Sequence, residues 1–595
     1  MPRSLAAVVA VALMAPVGFA TPAAAQSNEE LAARLNAIEK EVAALRKENR
    51  ALRAQQTPAA PPSVSGQAGQ LSPVSAPVEA GPYAAAPRAP VYAMPPSVGA
   101  SWTGFYIGAN LGLSVGRSPT TRNSAFSTSP SDVASDTFNL SPFGVVGGGQ
   151  IGFNWQAAPN WVLGVEADFQ GSSEKETACV YQCNPAVTPG FPRNMTITQG
   201  LDWFGTARGR VGWTNGPVLF YGTGGLAFGH VNTDVALADF NFGTPISAAA
   251  RTSQTKTGWT AGFGAEARLF GNWTGKIEYL YLDLGHVGAA SFNEVFTPTV
   301  SESQQVASSF HDHIVRFGLN YKFGDPVDVS PAGVGMFTKA PPAQLAAYNW
   351  TGLYLGANVG LGVARDRTTT PLNTFATATG APGLSAAESF TLSPLGAIGG
   401  GQVGYNWQVA PRWVLGIETD FQGSGQKDSA CMTCIFISPS PGGSSGALGT
   451  TYTQAIDWFG TLRGRLGWAH GPVLVYATGG LAYGHIKTDE VVNTIPFLTG
   501  VTTMGSFSQT KIGWTAGAGV EGQLVGNWTA KAEYLYMDLG SVSGNVVAPQ
   551  TVIPLNVNPN NVNISENRGF NSAIHDHIFR LGVNYKFDPG AISGY

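Results

Sequence analysis

Leu201-Asp-Trp-Phe-Gly-Thr-Ala-Arg-Gly-Arg-Val-Gly-Trp-Thr214 is the stretch on which the fold turns. One parity holds Leu201, Trp203, Gly205, Ala207, Gly209, Val211 and Trp213, and the other holds Asp202, Phe204, Thr206, Arg208 and Arg210. Side chains repeat with period 2 on a strand, so one face of this segment is apolar or small and the other carries charge. The same alternation sets Leu319, Tyr321 and Phe323 against Gly318, Asn320 and Lys322, and Tyr279 and Tyr281 against Lys276 and Glu278.

Segments of this kind fill 102–116, 144–156, 161–173, 201–214, 218–231, 255–269, 273–285 and 312–323, and the whole set then returns. Trp102-Thr-Gly-Phe-Tyr-Ile-Gly recurs as Trp350-Thr-Gly-Leu-Tyr-Leu-Gly, and Gly149-Gln150-Ile-Gly-Phe-Asn-Trp155 as Gly401-Gln402-Val-Gly-Tyr-Asn-Trp407. Second-copy strands begin near 350, 396, 413, 457, 473, 510, 528 and 576, so the chain is a tandem duplication. Connections alternate in length. Residues 157–160, 215–217 and 270–272 are short turns, whereas 117–143, 174–200, 232–254 and 286–311 read as long loops. Short turns at one end, long loops at the other and an even strand number describe an outer-membrane β-barrel. Trp161, Trp213, Trp273, Tyr321 and Phe323 fall beside the short turns, and Trp203, Trp259 and Tyr281 near the long loops, which makes two aromatic girdles. A soluble sandwich also alternates, but it accounts for neither feature.

Composition narrows the function classes. The chain has 33 Lys+Arg against 37 Asp+Glu, a formal net charge of −4, so no basic excess points to nucleic acid. Charged residues are 12 %, below the roughly 25 % of a soluble domain. No stretch after the leader offers the ~20 apolar residues of a spanning helix, which disfavours a helical transporter or channel. Residues 1–25 read as a secretory signal: Arg3, an apolar run from Leu5 to Ala20, and Ala23-Ala24-Ala25 before Gln26. Export implies an oxidising compartment, so Cys179 with Cys183, and Cys431 with Cys434, are expected as local disulfides. Zinc would need all four thiolates together, and no metal or other cofactor is expected.

Between leader and strands lie two further segments. Leu31, Leu35, Ile38, Val42, Leu45, Asn49 and Leu52 are spaced alternately four and three apart, as a heptad demands. Arg34 with Glu39, Glu41 with Arg46, and Glu48 with Arg53 make complementary g-to-e′ pairs in a parallel register, with Asn49 as the polar residue that sets it. Residues 27–56 are therefore expected as a periplasmic coiled coil that makes a homo-oligomer, a dimer ahead of a trimer. Residues 57–100 hold ten prolines and two charges and should form an extended disordered linker.

The motifs W-T-G-F-Y-I-G at 102–108, G-G-G-Q-I-G-F-N-W at 147–155, D-W-F-G-T-A-R-G-R-V-G at 202–212 and N-Y-K-F at 320–323 resemble those of the eight-stranded surface-antigen barrels of alphaproteobacteria. These barrels are also called porin family, opacity-like or OmpA-type domains. The resemblance spans nearly all of both copies. It implies outer-membrane residence with lipid and lipopolysaccharide as surroundings. The aromatic strand ends, Tyr321 with Phe323 and Tyr585 with Phe587, resemble the signal read by the barrel-insertion machinery.

Sixteen strands could close one wide porin or two narrow barrels, and only the former leaves an aqueous lumen. The seam favours two, because the connection between copies is long and carries Pro326, Pro331, Pro341 and Pro342 where a hairpin would need a few residues. The expected architecture is all-β, two tandem eight-stranded antiparallel outer-membrane barrels at 101–323 and 349–587. A periplasmic linker at 324–348 joins them, the coiled coil precedes them, and a tail at 588–595 follows.

Inward charges then decide the chemistry. Copy one offers Glu166, Asp168, Asp202, Glu266 and Glu278 against Arg208, Arg210, Arg268, Lys276, Arg316 and Lys322. Copy two offers Glu418, Asp420, Asp457, Glu521 and Glu533 against Arg463, Arg465, Lys531, Arg580 and Lys586. Near-balanced charge in a narrow lumen is expected to collapse into salt bridges, since unpaired buried charge is costly. An ion path would need one sign to dominate. Glu166 and Asp168 could mimic an acid/base pair, but no accessible cleft is indicated, and no enzyme activity is expected. His311, His313, His575 and His577 make two H-x-H arrangements that read as rim residues rather than metal ligands. The expectation is a structural outer-membrane protein with plugged lumens that displays surface loops. A sixteen-stranded diffusion porin and a loop-mediated adhesin are the alternatives.

Overall fold

The computed structural model describes residues 101–324 and 348–587, except 128–132, 182–193, 216, 242–243, 298–299, 372, 377–381, 386, 440–444, 496–500 and 554–561. The signal segment, the heptad segment 27–56, the linker 57–100, nearly all of 324–348, the tail 588–595 and Cys183 lie outside the described residues.

Copy one contains β1 (Gly104–Gly116), β2 (Ser118–Phe126), β3 (Val133–Leu140), β4 (Phe143–Ala158), β5 (Trp161–Tyr181), β6 (Asn194–Asn215), β7 (Val218–Asn241), β8 (Thr244–Phe270), β9 (Trp273–Thr297) and β10 (Val300–Lys322). Copy two contains β11 (Gly352–Ala364), β12 (Asp366–Thr370), β13 (Asn373–Ala376), β14 (Pro382–Ser385), β15 (Glu388–Leu392), β16 (Leu395–Ala410), β17 (Trp413–Pro439), β18 (Ser445–His470), β19 (Val473–Ile495), β20 (Val501–Val525), β21 (Trp528–Ile553) and β22 (Val562–Lys586).

Antiparallel ladders run from β4 through β10, each strand to the next. β1 joins the two ends, with Phe105 opposite Phe153 on β4 and Ile107 opposite Tyr321 on β10, so the sheet of copy one closes on itself. In copy two β11 does the same between β16 and β22. Ladders end at Ala158–Trp161, Asn215–Val218 and Phe270–Trp273, which leaves two-residue turns. Gly271 takes the left-handed conformation that such a turn needs (φ 51°).

On the far side the structure corrects the expectation of loops. β2 and β3 occupy most of 117–143, and β5 to β10 run well past the aromatic girdle. Polar composition hid these extensions. Met195, Ile197 and Gln199 are buried, while Thr196 and Thr198 between them face outward, which is a half-buried strand with Thr on its wet side. Above the rings the two copies share one core, in which Phe138, Leu140, Met195 and Ile197 pack with Phe390, Leu392, Met432 and Ile456. Ladders also cross between copies, pairing Ser389 with Cys179, Thr391 with Asn139, and Cys431 with Thr137.

Outward side chains on β1, β4 and β5 stay bare, as at Leu111 (63 % exposed), Ile151 (58 %) and Val165 (61 %). On β7, β8 and β9 part of the outward face is covered by the other copy, while Leu226, Trp259, Phe317 and Leu319 stay exposed. Val218, Ala265, Ala267 and Ile277 pack with Val473, Val520 and Ala532, and Tyr279 lies 5.0 Å from Phe579, centroid to centroid. Small residues on an otherwise lipid-facing surface permit this close approach.

Candidate functional site

Even-numbered positions of β5, β6, β8, β9 and β10 point into the ring and place a compact ionic network across it. Arg208 bonds Glu166, and reaches Asp168 at 2.8 Å and Glu278 at 3.1 Å. Arg316 spans Asp168 at 2.8 Å and Glu278 at 2.6 Å, and Lys276 Nζ lies 2.9 Å from Glu166. Arg210 pairs with Glu266 at 2.8 Å and lies 3.8 Å over the ring of Tyr221. Copy two repeats the arrangement. Arg463 bonds Glu418, and reaches Asp420 at 3.0 Å and Glu533 at 3.1 Å. Arg580 spans Asp420 at 2.9 Å and Glu533 at 2.6 Å, Lys531 lies 3.0 Å from Glu418, and Arg465 pairs with Glu521 at 2.7 Å.

Four carboxylates thus face four cations in each ring, and every one of these side chains is buried. Tyrosines that the sequence reading did not single out complete the network. Tyr106 donates to Glu166 and Tyr354 to Glu418, each at 2.7 Å, while Tyr221 and Tyr476 donate to Glu278 and Glu533, each at 3.0 Å. Their inward parity on β1, β7, β11 and β19 was the available signal. Gly152 makes room for one of them, since a Cβ there would stand 2.3 Å from the Tyr106 ring, and Gly404 does the same for Tyr354.

Several expected lumen charges sit elsewhere. Asp202 and Asp457 are exposed. A bulge between Leu201 and Trp203, repeated between Ile456 and Trp458, reverses the parity there, so Leu201 and Phe204 both turn inward and Asp202 meets Asn232 outside. Arg268 lies 4.7 Å over Trp102 and donates to the Ser101 carbonyl, as does Lys322, and Lys586 donates to the Asn349 carbonyl. These three cap the turn-side mouths because their strands end there.

At the loop side the two copies clasp each other reciprocally. Arg117 pairs with Asp428 at 2.8 Å and donates to the Ser393 carbonyl, and Arg365 pairs with Glu176 at 3.4 Å and donates to the Ser141 carbonyl. Asn139 donates to Asp428, and Thr391 to Glu176. Each contact in one direction has its counterpart in the other, as in an isologous dimer interface. No single copy contains both halves of such a contact, so the sequence carried no signal for it.

The histidines divide. His313 and His577 are buried between the copies against the hydroxyls of Tyr279 and Tyr534, at 2.8 and 2.9 Å, while His311 and His575 stand 3.6 and 3.7 Å from Asp283 and Asp538. Among the described residues no group of three or more His, Cys, Asp and Glu converges as a metal site. Cys179 and Cys431 are each disulfide-bonded. Tyr321 stacks edge-on with Trp273 and with Phe323, and Tyr585 with Trp528 and with Phe587, at the turn-side ends of the closing strands.

Closed antiparallel sheets, apolar outside and ion-paired inside, with two-residue turns at one end, define an outer-membrane β-barrel protein. The chain belongs to the outer membrane protein beta-barrel domain family, whose model matches residues 84–323 and again 332–587. A 31 kDa outer-membrane immunogenic protein of Brucella melitensis is 39 % identical over 230 residues, covering 38 % of this chain and 84 % of that protein. A 22 kDa outer membrane protein of Rhizobium leguminosarum is 35 % identical over 144 residues, 24 % of this chain and 53 % of that protein. Among solved structures, Ail of Yersinia pestis aligns at 12 % identity and TM-score 0.15, covering 35 % of this chain and 99 % of Ail. The chain is thus a tandemly duplicated protein of the cell outer membrane.

Proposed function

We propose that the chain is a structural, non-catalytic outer-membrane protein: two eight-stranded barrels, each plugged by its own side chains, that carry a joint strand-built domain at the cell surface. The lumen network is the observation that supports this. Arg316, Arg463, Arg580 and Lys531 rank among the largest side chains less than 2 % exposed, and each is held by carboxylates from more than one strand. Eight strands enclose an interior just wide enough for side chains to fill, and a diffusive pore would need a wet lining instead. Glu166 and Asp168 are committed to Arg208, Arg316 and Lys276, which removes them from acid/base work.

Outer-membrane lipid and lipopolysaccharide surround the bare apolar faces, and the barrel-insertion machinery reads the strands ending in Phe323 and Phe587. Residues 27–56 gather chains in the periplasm as a parallel dimer or trimer. Cys179 bonds Cys183, and Cys431 bonds Cys434. Surface recognition through the loop-side domain is a compatible second reading, and the word immunogenic in the relatives' names accords with exposure there. Planar-bilayer recording of the refolded protein tests the primary reading. Absent or tiny conductance is expected, and large ohmic steps would establish the diffusion porin instead.

A further inference from the structure

Copy one carries two carboxylates where copy two carries a carboxylate and an amide. On the loop side of the ionic network, Glu174 of β5 and Asp312 of β10 meet within hydrogen-bond reach, 2 % and 0 % exposed. Ser114 of β1 donates to Asp312, and the backbone N–H groups of Val115 and His313 also face it. Ser114 lies beside Glu174 as well, but its single hydroxyl hydrogen goes to Asp312, so among the described residues neither Glu174 oxygen receives a hydrogen bond.

The charged groups of every neighbouring element are engaged elsewhere. Arg117, at the end of β1, reaches to Asp428 in copy two. Glu176, further along β5, takes Arg365, Thr391 and the Ser141 N–H. On β10, His313 turns to Tyr279 and His311 to Asp283. β4 presents the backbone around Gly144, where a Cβ would stand 2.5 Å from Glu174 N.

Copy two resolves the same position differently, with Asp366, where copy one has Ser118, buried nearby and accepting from the His575 N–H. Gln426 follows the β17 bulge as Glu174 follows that of β5, and its Nε2 donates to Asp576 Oδ1 at 2.8 Å. A protonated glutamic acid is the one form of Glu174 that can donate as that amide does. Two buried carboxylates side by side do not both ionise.

We infer that Glu174 and Asp312 hold one shared proton, carried by Glu174 and accepted by Asp312, so that copy one has a proton-binding site which the Gln426 amide fills permanently in copy two. Burial first, and the Asp312 charge second, hold the Glu174 carboxyl well above the usual carboxylate range. The folded chain therefore binds this proton more tightly than the unfolded chain. Its stabilising effect is fully present below the ordinary carboxylate titration and is lost as pH rises through the raised folded-state value.

The test uses the full-length protein in detergent, with Glu174→Gln, the residue copy two already tolerates, and Gln426→Glu. Infrared spectra at neutral pH should lose one carboxylic-acid C=O band in Glu174→Gln and gain one in Gln426→Glu. The unfolding midpoint of the parent should fall relative to Glu174→Gln as pH rises, a difference that isolates this pair from the other buried acids. Unchanged carboxylic-acid intensity in Glu174→Gln, or parallel pH profiles, would overturn the inference. So would stabilisation by calcium that a chelator reverses in the parent but not in Glu174→Gln, because a cation would then hold the pair.

Discussion

Lys531 shows what single side chains do in this molecule. Its ammonium lies 3.0 Å from Glu418 and 3.7 Å from Glu533, with all three buried. Removing one partner of such a set leaves uncompensated buried charge, which costs far more than the set is worth against apolar packing. Lys531→Met should therefore destabilise by about 3–5 kcal/mol, whereas Lys487→Met, whose pair with Asp489 at 3.3 Å is exposed, should change stability by less than about 1 kcal/mol. Denaturant unfolding in detergent, followed by tryptophan fluorescence, measures both. Equal effects would mean that water reaches the lumen and screens it. At this scale the inward parity of Arg208, Arg210, Arg463 and Arg465 was legible in the sequence. The tyrosines beside them are equally patterned, but a phenol carries no formal charge, so parity alone does not separate a network donor from an apolar ring.

The informative elements are the strand extensions and the clasp between them. Asp428 retains donors from Asn139 and Ser393 when Arg117 is removed, at 2.8 and 2.7 Å, so loss of the arginine weakens the clasp without stripping the carboxylate. Arg117→Ala should cost about 2 kcal/mol, in the range of a hydrogen bond to a charged group. The double variant Arg117→Ala/Arg365→Ala should expose the loop-side domain to protease while circular dichroism of the strands is unchanged. A double-mutant cycle between Arg117 and Asp428 gives the pairwise part. Protease resistance equal to the parent would show that the shared apolar core alone holds the copies together. The bulge between Leu201 and Trp203 belongs to this scale too. Period 2 is a local rule, and one extra residue in a strand reverses it, which is why Asp202 and Asp457 read as inward and lie outward.

For the whole molecule, an even strand number returns both ends of each ring to the turn side, which places residues 27–56 in the periplasm under the proposed topology. Deleting 27–56 should convert an oligomer in mild detergent to a monomer, by analytical ultracentrifugation, with strand content unchanged. A truncated protein that remains equally oligomeric would move the contact to the barrels. The clasp is a reciprocal interface closed within one chain. A reciprocal interface built inside one chain needs no second molecule to find it.

By itself the sequence determined what repeats and, away from the bulges, which parity of each ring strand points outward. Alternation in 201–214, the return of Trp102-Thr-Gly as Trp350-Thr-Gly, and turns of a few residues are local patterns set by backbone geometry and by the apolar surroundings of each strand. Tertiary structure alone decided which side chains meet. Arg117 with Asp428, Tyr279 with Phe579, and Glu174 with Asp312 lie 311, 300 and 138 positions apart, and each depends on a ring closing or on two rings standing side by side. It also decided that Ser- and Thr-rich connections are strands, because a strand with one wet face needs only its buried parity to be apolar, and that burial comes from the other copy.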